Sequence, residues 1–189
     1  YNNKAINRYK KDNFEISVDK ADNLERLKKS ISNIKNCSLK KNATNIVFSD
    51  GNPKSRIMLI GEAPGLNEDQ EGLPFVGRAG TLLDKMLASI NLDRKNVYIS
   101  NIINYRPPEN RRPTDEEMNR YLPFVKKHIE IIAPKILILL GSTAMNALIG
   151  SDTVISEVRG QWIEKEFGLC KTSVIVTFHP AFLMRQPTQ

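Results

Sequence analysis

The chain has 189 residues, 40% of them hydrophobic and 26% charged, with a formal net charge of +7. That length suits one domain with a buried core, taken here as residues 1–189, and the balance excludes wholesale disorder. No apolar stretch approaches the roughly 18–20 residues that cross a bilayer, so no membrane partner is expected.

The basic excess is local. Residues 1–56 hold 13 Lys/Arg against 6 Asp/Glu, and the rest of the chain holds 15 of each. Net charge alone therefore does not mark the larger, C-terminal portion as a polyanion binder. The two cysteines, Cys37 and Cys170, are too few for a disulfide framework or a four-cysteine metal site. They read as reduced thiols of a cytoplasmic protein. The opening Tyr1-Asn2-Asn3-Lys4 lacks the features of a signal peptide.

Residues 1–18 are polar without a sustained period and read as a flexible arm. Leu24, Leu27, Ile31 and Ile34 recur at helical spacing and predict a helix over 22–36. From Arg56 the pattern becomes strand, loop, helix. Ile57-Met58-Leu59-Ile60 is a short apolar run closed by Gly61, as expected of a strand buried on both faces. Leu82, Leu83, Met86 and Leu87 mark a helix, and Val97–Asn101 a second strand. After an Arg- and Pro-rich loop over 106–113, Thr114 and Glu117 have the spacing of a capping box before a long helix. His128 in that helix, beside Lys126 and Lys127, is expected on the surface. Lys135–Leu140 forms a third strand, Ser142–Leu148 a short helix and Val174–Thr177 a fourth strand. The stretch 155–167 fits either strand or extended loop. This alternation predicts an α/β fold, a parallel four-stranded sheet with helices on both faces.

Ligands of such sheets bind outside the carboxyl ends of the strands. There the sequence places Gly61-Glu62-Ala63-Pro64-Gly65 with Glu68 and Asp69, then Asn101, then Gly141-Ser142, then Phe178-His179-Pro180. Each has a plainer reading: a tight turn, a solvated acidic run over Glu68, Asp69 and Glu71, a strand-ending amide, a structural histidine. A carboxylate cluster, an amide and a histidine meeting on one rim favour a functional reading over any of these.

Gly61-Glu62-Ala63-Pro64-Gly65, the run from Gly72 to Gly80, Arg106-Pro107-Pro108 and His179-Pro180-Ala181-Phe182-Leu183 together resemble family 4 uracil-DNA glycosylases, from about Cys37 to Pro187. The resemblance implies a three-layer α/β/α sandwich around a four-stranded parallel sheet. It also implies a monofunctional enzyme that removes uracil from single- or double-stranded DNA and leaves an abasic site. Matched motif by motif, the resemblance places Glu62 and Glu68 in the water-activating loop, and Gly61, Ala63, Pro64 and Gly65 of that motif are expected to bind the substrate. Phe75 is the ring on which uracil stacks, Asn101 reads its edge, and His179 faces the leaving base. Phe182-Leu183-Met184 is the loop that probes the duplex, with Leu183 as its contact. A monomer is expected.

These residue types suit that chemistry. Asn101 can accept from uracil N3–H and donate to O4; cytosine reverses the pattern, provided the amide is held in one orientation. His179 can donate to uracil O2 as negative charge builds there. The best-known uracil-DNA glycosylases carry Asp at the position of Ala63, so the work of activating water falls to Glu62 or Glu68. Arg106, Arg111, Arg112 and Arg185 are candidate phosphate contacts.

The resemblance also implies a 4Fe–4S cluster held by four cysteines, and here the chain departs from it. The four positions are Ile34, Cys37, Tyr105 and Tyr121, and one thiolate cannot hold such a cluster. A protein without metal or other cofactor is expected, its packing replacing the cluster. Two other readings stand beside the leading one: a glycosylase for another deaminated base, and a DNA-binding homologue weakened in catalysis.

Overall fold

A computed structural model describes residues 8–152 and 154–189, with side chains from Lys20 onward. Six strands form one sheet: β1 (Asp50–Gly51), β2 (Ile57–Gly61), β3 (Tyr98–Asn101), β4 (Ile136–Leu140), β5 (Trp162–Phe167) and β6 (Cys170–Thr177). Their order is β1-β3-β2-β4-β6-β5. The four inner strands are parallel, as the sequence predicts, and in register Leu59 lies between Ile99 and Ile138.

The two edge strands are antiparallel additions. Strand β1 has two residues, too few to leave a periodic signal. Strand β5 resolves the ambiguous 155–167 stretch. Its exposed Glu164 and Glu166 flank Lys165 at a sheet edge, a pattern that discourages pairing with other chains. Gly168, with φ +57°, turns the chain into β6.

Alternate residues of the parallel strands feed two cores. Met58 and Ile60 pack with Leu137, Leu139, Val174 and Val176 beneath α1 (Arg8–Ser32) and α5 (Asp115–Ile132). Leu59, Ile99 and Leu140 face the other way, against Leu83 and Leu87 of α4 (Arg78–Ser89). Helices thus cover both faces of the sheet, giving the three layers. Short helices α2 (Ser38–Asn42), α3 (Leu66–Glu71), α6 (Ser142–Leu148), α7 (Ile155–Val158) and α8 (Pro180–Arg185) complete the described residues, with a 3₁₀ turn at Pro108–Asn110.

Helix α1 starts fourteen residues earlier than the apolar spacing predicts and ends at Ser32, so Ile34 follows its end. The expected arm therefore lies partly in α1, while residues 1–7 fall outside the described residues. The Thr114–Glu117 box caps α5: Glu117 N–H donates to Thr114 Oγ1 (3.2 Å) and Thr114 N–H to Glu117 Oε2 (2.8 Å).

His128 corrects the surface expectation, being only 3% exposed. It follows Tyr121 and Val125 at helical spacing, on the face of α5 that turns to the sheet. Its ring stacks on Phe48 at 4.6 Å, and Nε2 lies 2.8 Å from the Tyr98 hydroxyl. Burial lowers its pKa from 6.5 to about 3. The unfolded chain therefore takes up this proton near pH 6.5 while the folded chain resists until about pH 3. Folding stability carried by the neutral ring is complete above pH 6.5 and falls as the pH drops through that window, by up to about 1.4 kcal/mol per pH unit. Urea unfolding of the wild type and of His128→Phe between pH 7 and pH 5 is expected to give a shallower pH slope for the variant. Equal slopes refute the assignment.

Candidate active site

The chain leaves β2 at Gly61 because no larger residue fits there. A Cβ on Gly61 would lie 2.5 Å from Asn101 Oδ1 and 2.5 Å from Phe75 Cζ. Asn101 ends β3, is 3% exposed, and its Oδ1 has no hydrogen-bond partner. No hydrogen bond from another described residue fixes the amide's orientation, so the condition placed on its selectivity is not met by the chain alone.

Phe75 sits at φ +55°, a strained conformation for a bulky residue. Arg94 holds it there from outside the cavity. Its guanidinium donates to the carbonyl oxygens of Phe75 and of Pro74 (3.0 Å for the latter) and is braced by Asp50 at 2.7 Å and Asp84 at 2.9 Å. Gly80 completes the fit, since a Cβ would lie 1.7 Å from the Phe75 carbonyl oxygen. Nothing in the sequence singles out Arg94; its role depends on strands and loops far apart in the chain.

The two candidate carboxylates differ sharply. Glu68 stands in the first turn of α3 and accepts three backbone N–H groups: Gly65 at 3.1 Å, Val76 at 2.9 Å and Gly77 at 2.8 Å. It staples the loop after β2 to the loop carrying Phe75, and both its oxygens are engaged. Asp69 is likewise structural. It is 2% exposed, and its Oδ1 accepts from the backbone N–H groups of Thr44 and Asn45. The acidic run is therefore solvated only in part. The Glu62 carboxylate accepts from one group among the described residues, the Thr143 hydroxyl.

Glu62 lines a cavity of about 600 Å³ with Ala63, Gly141, Ser142, His179 and Arg185. Ala63 also packs against the larger core, and Pro64 is buried in the turn beside it. His179 caps α8, its Nδ1 accepting from Ala181 N–H at 3.1 Å. Burial lowers its pKa from the ordinary 6.5, against the opposing pull of Glu62 and helped by Arg185. The neutral ring then carries its one proton on Nε2, as a donor. The Phe75 and His179 rings lie 5.5 Å apart at 30°, so the imidazole joins the cavity to the Phe75–Asn101 pair.

The arginines separate. Arg111 is committed to Glu117 by two bonds of 2.7 and 2.8 Å, which argues against its reading as a phosphate contact. Arg112 turns toward the cavity and donates from Nε to Thr143 Oγ1 at 3.0 Å. Arg106 donates to Asn110 Oδ1 at 2.7 Å, and Arg185 is exposed at the cavity mouth. The segment Phe182-Leu183-Met184, expected as a loop, is part of α8, with Leu183 half-buried and Met184 37% exposed. Thr143, missed in the sequence, immediately follows the rim pair Gly141-Ser142; that position was its only signal.

The residues at the four cluster positions do not fit an iron–sulfur cluster. Cys37 Sγ lies 3.4 Å from the Tyr121 hydroxyl, and Cys37, Tyr105 and Tyr121 are all buried. Ile34 packs against the core. Burial pushes the Tyr121 hydroxyl well above its usual range, with Cys37 adding to the shift, so it stays protonated and able to donate. Arg120 ties α5 to this corner through the Asn36 carbonyl at 2.6 Å. Among the described residues no group of three or more His, Cys, Asp or Glu is placed to hold a metal ion. No helix among them is long and apolar enough to cross a membrane.

The three-layer α/β/α fold thus gathers a carboxylate, an imidazole, an amide and an aromatic ring at one rim of the sheet. The chain belongs to the uracil DNA glycosylase superfamily, whose family model matches residues 48–189. It is 43% identical over 162 residues to a type-4 uracil-DNA glycosylase of Thermotoga maritima, covering 85% of this chain and 81% of that one. It is 40% identical over 170 residues to the type-4 enzyme of Archaeoglobus fulgidus, covering 88% and 85%. The type-4 enzyme of Sulfurisphaera tokodaii is 39% identical over 171 residues, covering 88% and 78%.

Proposed function

We propose that the protein is a monofunctional uracil-DNA glycosylase that hydrolyses the N-glycosidic bond of a flipped uracil and leaves an abasic site. The observation that carries this is Asn101 Oδ1, a buried acceptor without a partner beside the Phe75 ring. An unpaired buried acceptor costs about 1–3 kcal/mol. Uracil N3–H supplies the missing donor, and Asn101 Nδ2 donates to O4. The names of the type-4 relatives support the same substrate.

Flipping costs a few kcal/mol, which stacking on Phe75 offsets in part. As the bond from C1′ to uracil N1 breaks, its electron pair leaves with the base. His179 Nε2–H stabilises the charge arriving on uracil O2. Glu62 favours the cationic sugar and takes a proton from the water whose oxygen bonds to C1′. Solvent protonates the departed uracil. Glu68, saturated by amides, orders the loop rather than the water. Arg185 and Arg106 hold phosphates, and Leu183 probes the duplex. Among the described residues no lysine lines the cavity to form an imine with the sugar, so the activity we propose does not include strand cleavage.

We also propose that the protein works without an iron–sulfur cluster, the contact between Cys37 and Tyr121 and the buried Tyr105 filling that corner. One preparation tests both statements. Single- and double-stranded oligonucleotides carrying one uracil are expected to give abasic sites, cleaved only after alkali, from protein containing negligible iron. Intact DNA after alkali overturns the activity. About four irons per chain overturns the cluster-free reading.

A further inference from the structure

We infer that Thr143 is a positioning residue for Glu62 and that Arg112 sets the direction in which it acts. The inference rests on the reading of Glu62 as the carboxylate that attends the water. Thr143 lies in the first turn of α6, after the rim of β4, and is 2% exposed. Its Oγ1 stands between two charged groups: it receives Arg112 Nε–H at 3.0 Å and faces Glu62 Oε2.

A hydroxyl carries one proton. The Nε–H of Arg112 can only donate, so it occupies an acceptor position of Oγ1. An ionised Glu62 can only accept, so the hydroxyl proton points to Oε2. Both ends of the relay thus agree. This is the sole side-chain bond to Glu62 among the described residues. It anchors one carboxylate oxygen and leaves Oε1 without a hydrogen-bond partner among the described residues, in a side chain that lines the cavity with His179. Glu68 shows the contrast, with both oxygens consumed by backbone amides.

A side chain with three rotatable bonds reaches a productive geometry only part of the time unless something holds it, and small misplacements are costly to the chemical step. The threonine therefore acts on the rate of bond cleavage rather than on DNA affinity. Arg112, expected from the sequence to contact phosphate, is exposed but commits its Nε to Thr143 at the edge of the site.

The test is a double-mutant cycle read as single-turnover excision at saturating enzyme, with DNA affinity and melting temperature measured alongside. Thr143→Val is expected to slow excision by about 10- to 50-fold with affinity within about threefold. Thr143→Ser, which keeps the hydroxyl, is expected to stay within about threefold of wild type. In a Glu62→Gln background Thr143→Val is expected to cost nothing further, because residues acting as one unit are not additive. A merely structural threonine would lower stability and affinity and would add its loss to that of Glu62→Gln. Should Thr143→Val fail to fold, Arg112→Gln replaces it in the same cycle. Wild-type excision by the Thr143 or Arg112 variant, with Glu62→Gln slow, overturns this inference alone. Wild-type excision by Glu62→Gln overturns the reading beneath it.

Discussion

Glu62→Gln is expected to slow single-turnover excision of uracil by at least about a hundredfold, the usual scale for losing a group that moves a proton in the transition state. Its affinity for uracil DNA should stay within about threefold, because the amide keeps the shape and still accepts from Thr143. Glu68→Gln is the informative partner. Its amide oxygen can still accept from Val76 and Gly77, but its NH₂ group then faces the Gly65 N–H, donor against donor. That substitution is expected to cost about 1–3 kcal/mol of stability and to slow excision less than Glu62→Gln does. The reverse ranking, with Glu68→Gln slower in chemistry at normal stability, would transfer the water to Glu68. The sequence could not choose between these carboxylates because both stand in one acidic loop. The choice turns on which oxygens the folded backbone has already engaged.

The same distinction governs what was legible elsewhere. Strands β2 and β4 were readable because each is an apolar run closed by Gly, as strands buried on both faces tend to be; β6 was read only over Val174–Thr177 and begins at Cys170, where Lys171 is exposed and the pattern alternates. The rim residues Glu62, Asn101 and His179 followed from those strand ends. Strand β1 was not readable, since two residues carry no period. His128 was misread from its lysine neighbours, although its spacing from Tyr121 and Val125 already placed it on the apolar stripe of α5. Immediate neighbours on a helix point to different faces, so the period is the better guide. Arg94 and Thr143 were invisible for another reason. Each acts on a residue far away in the chain, Phe75 and Glu62 respectively, and only the closed fold brings the partners together.

Asn101→Ala is expected to reduce kcat/KM for uracil excision on the order of a hundredfold. The arithmetic comes from two hydrogen bonds. Without the amide, uracil N3–H and O4 enter a buried site unpaired, each at about 1–3 kcal/mol, and a combined loss near 3 kcal/mol corresponds to about a hundredfold in rate. Stability should change little or even rise, because the wild-type amide already leaves Oδ1 unpartnered. Binding to DNA that holds an abasic site supplies the control. Such DNA presents no base to read, so Asn101→Ala should bind it as the wild type does. Loss of abasic-site binding together with excision would mean that Asn101 supports the architecture around Gly61 and Phe75 rather than reading the base. Undiminished excision would remove the amide from recognition altogether. The amide matters for a physical reason: its Oδ1 is a fully buried acceptor that the protein leaves unpaired, and an enzyme that must reject every normal base has reason to let only its substrate complete that bond.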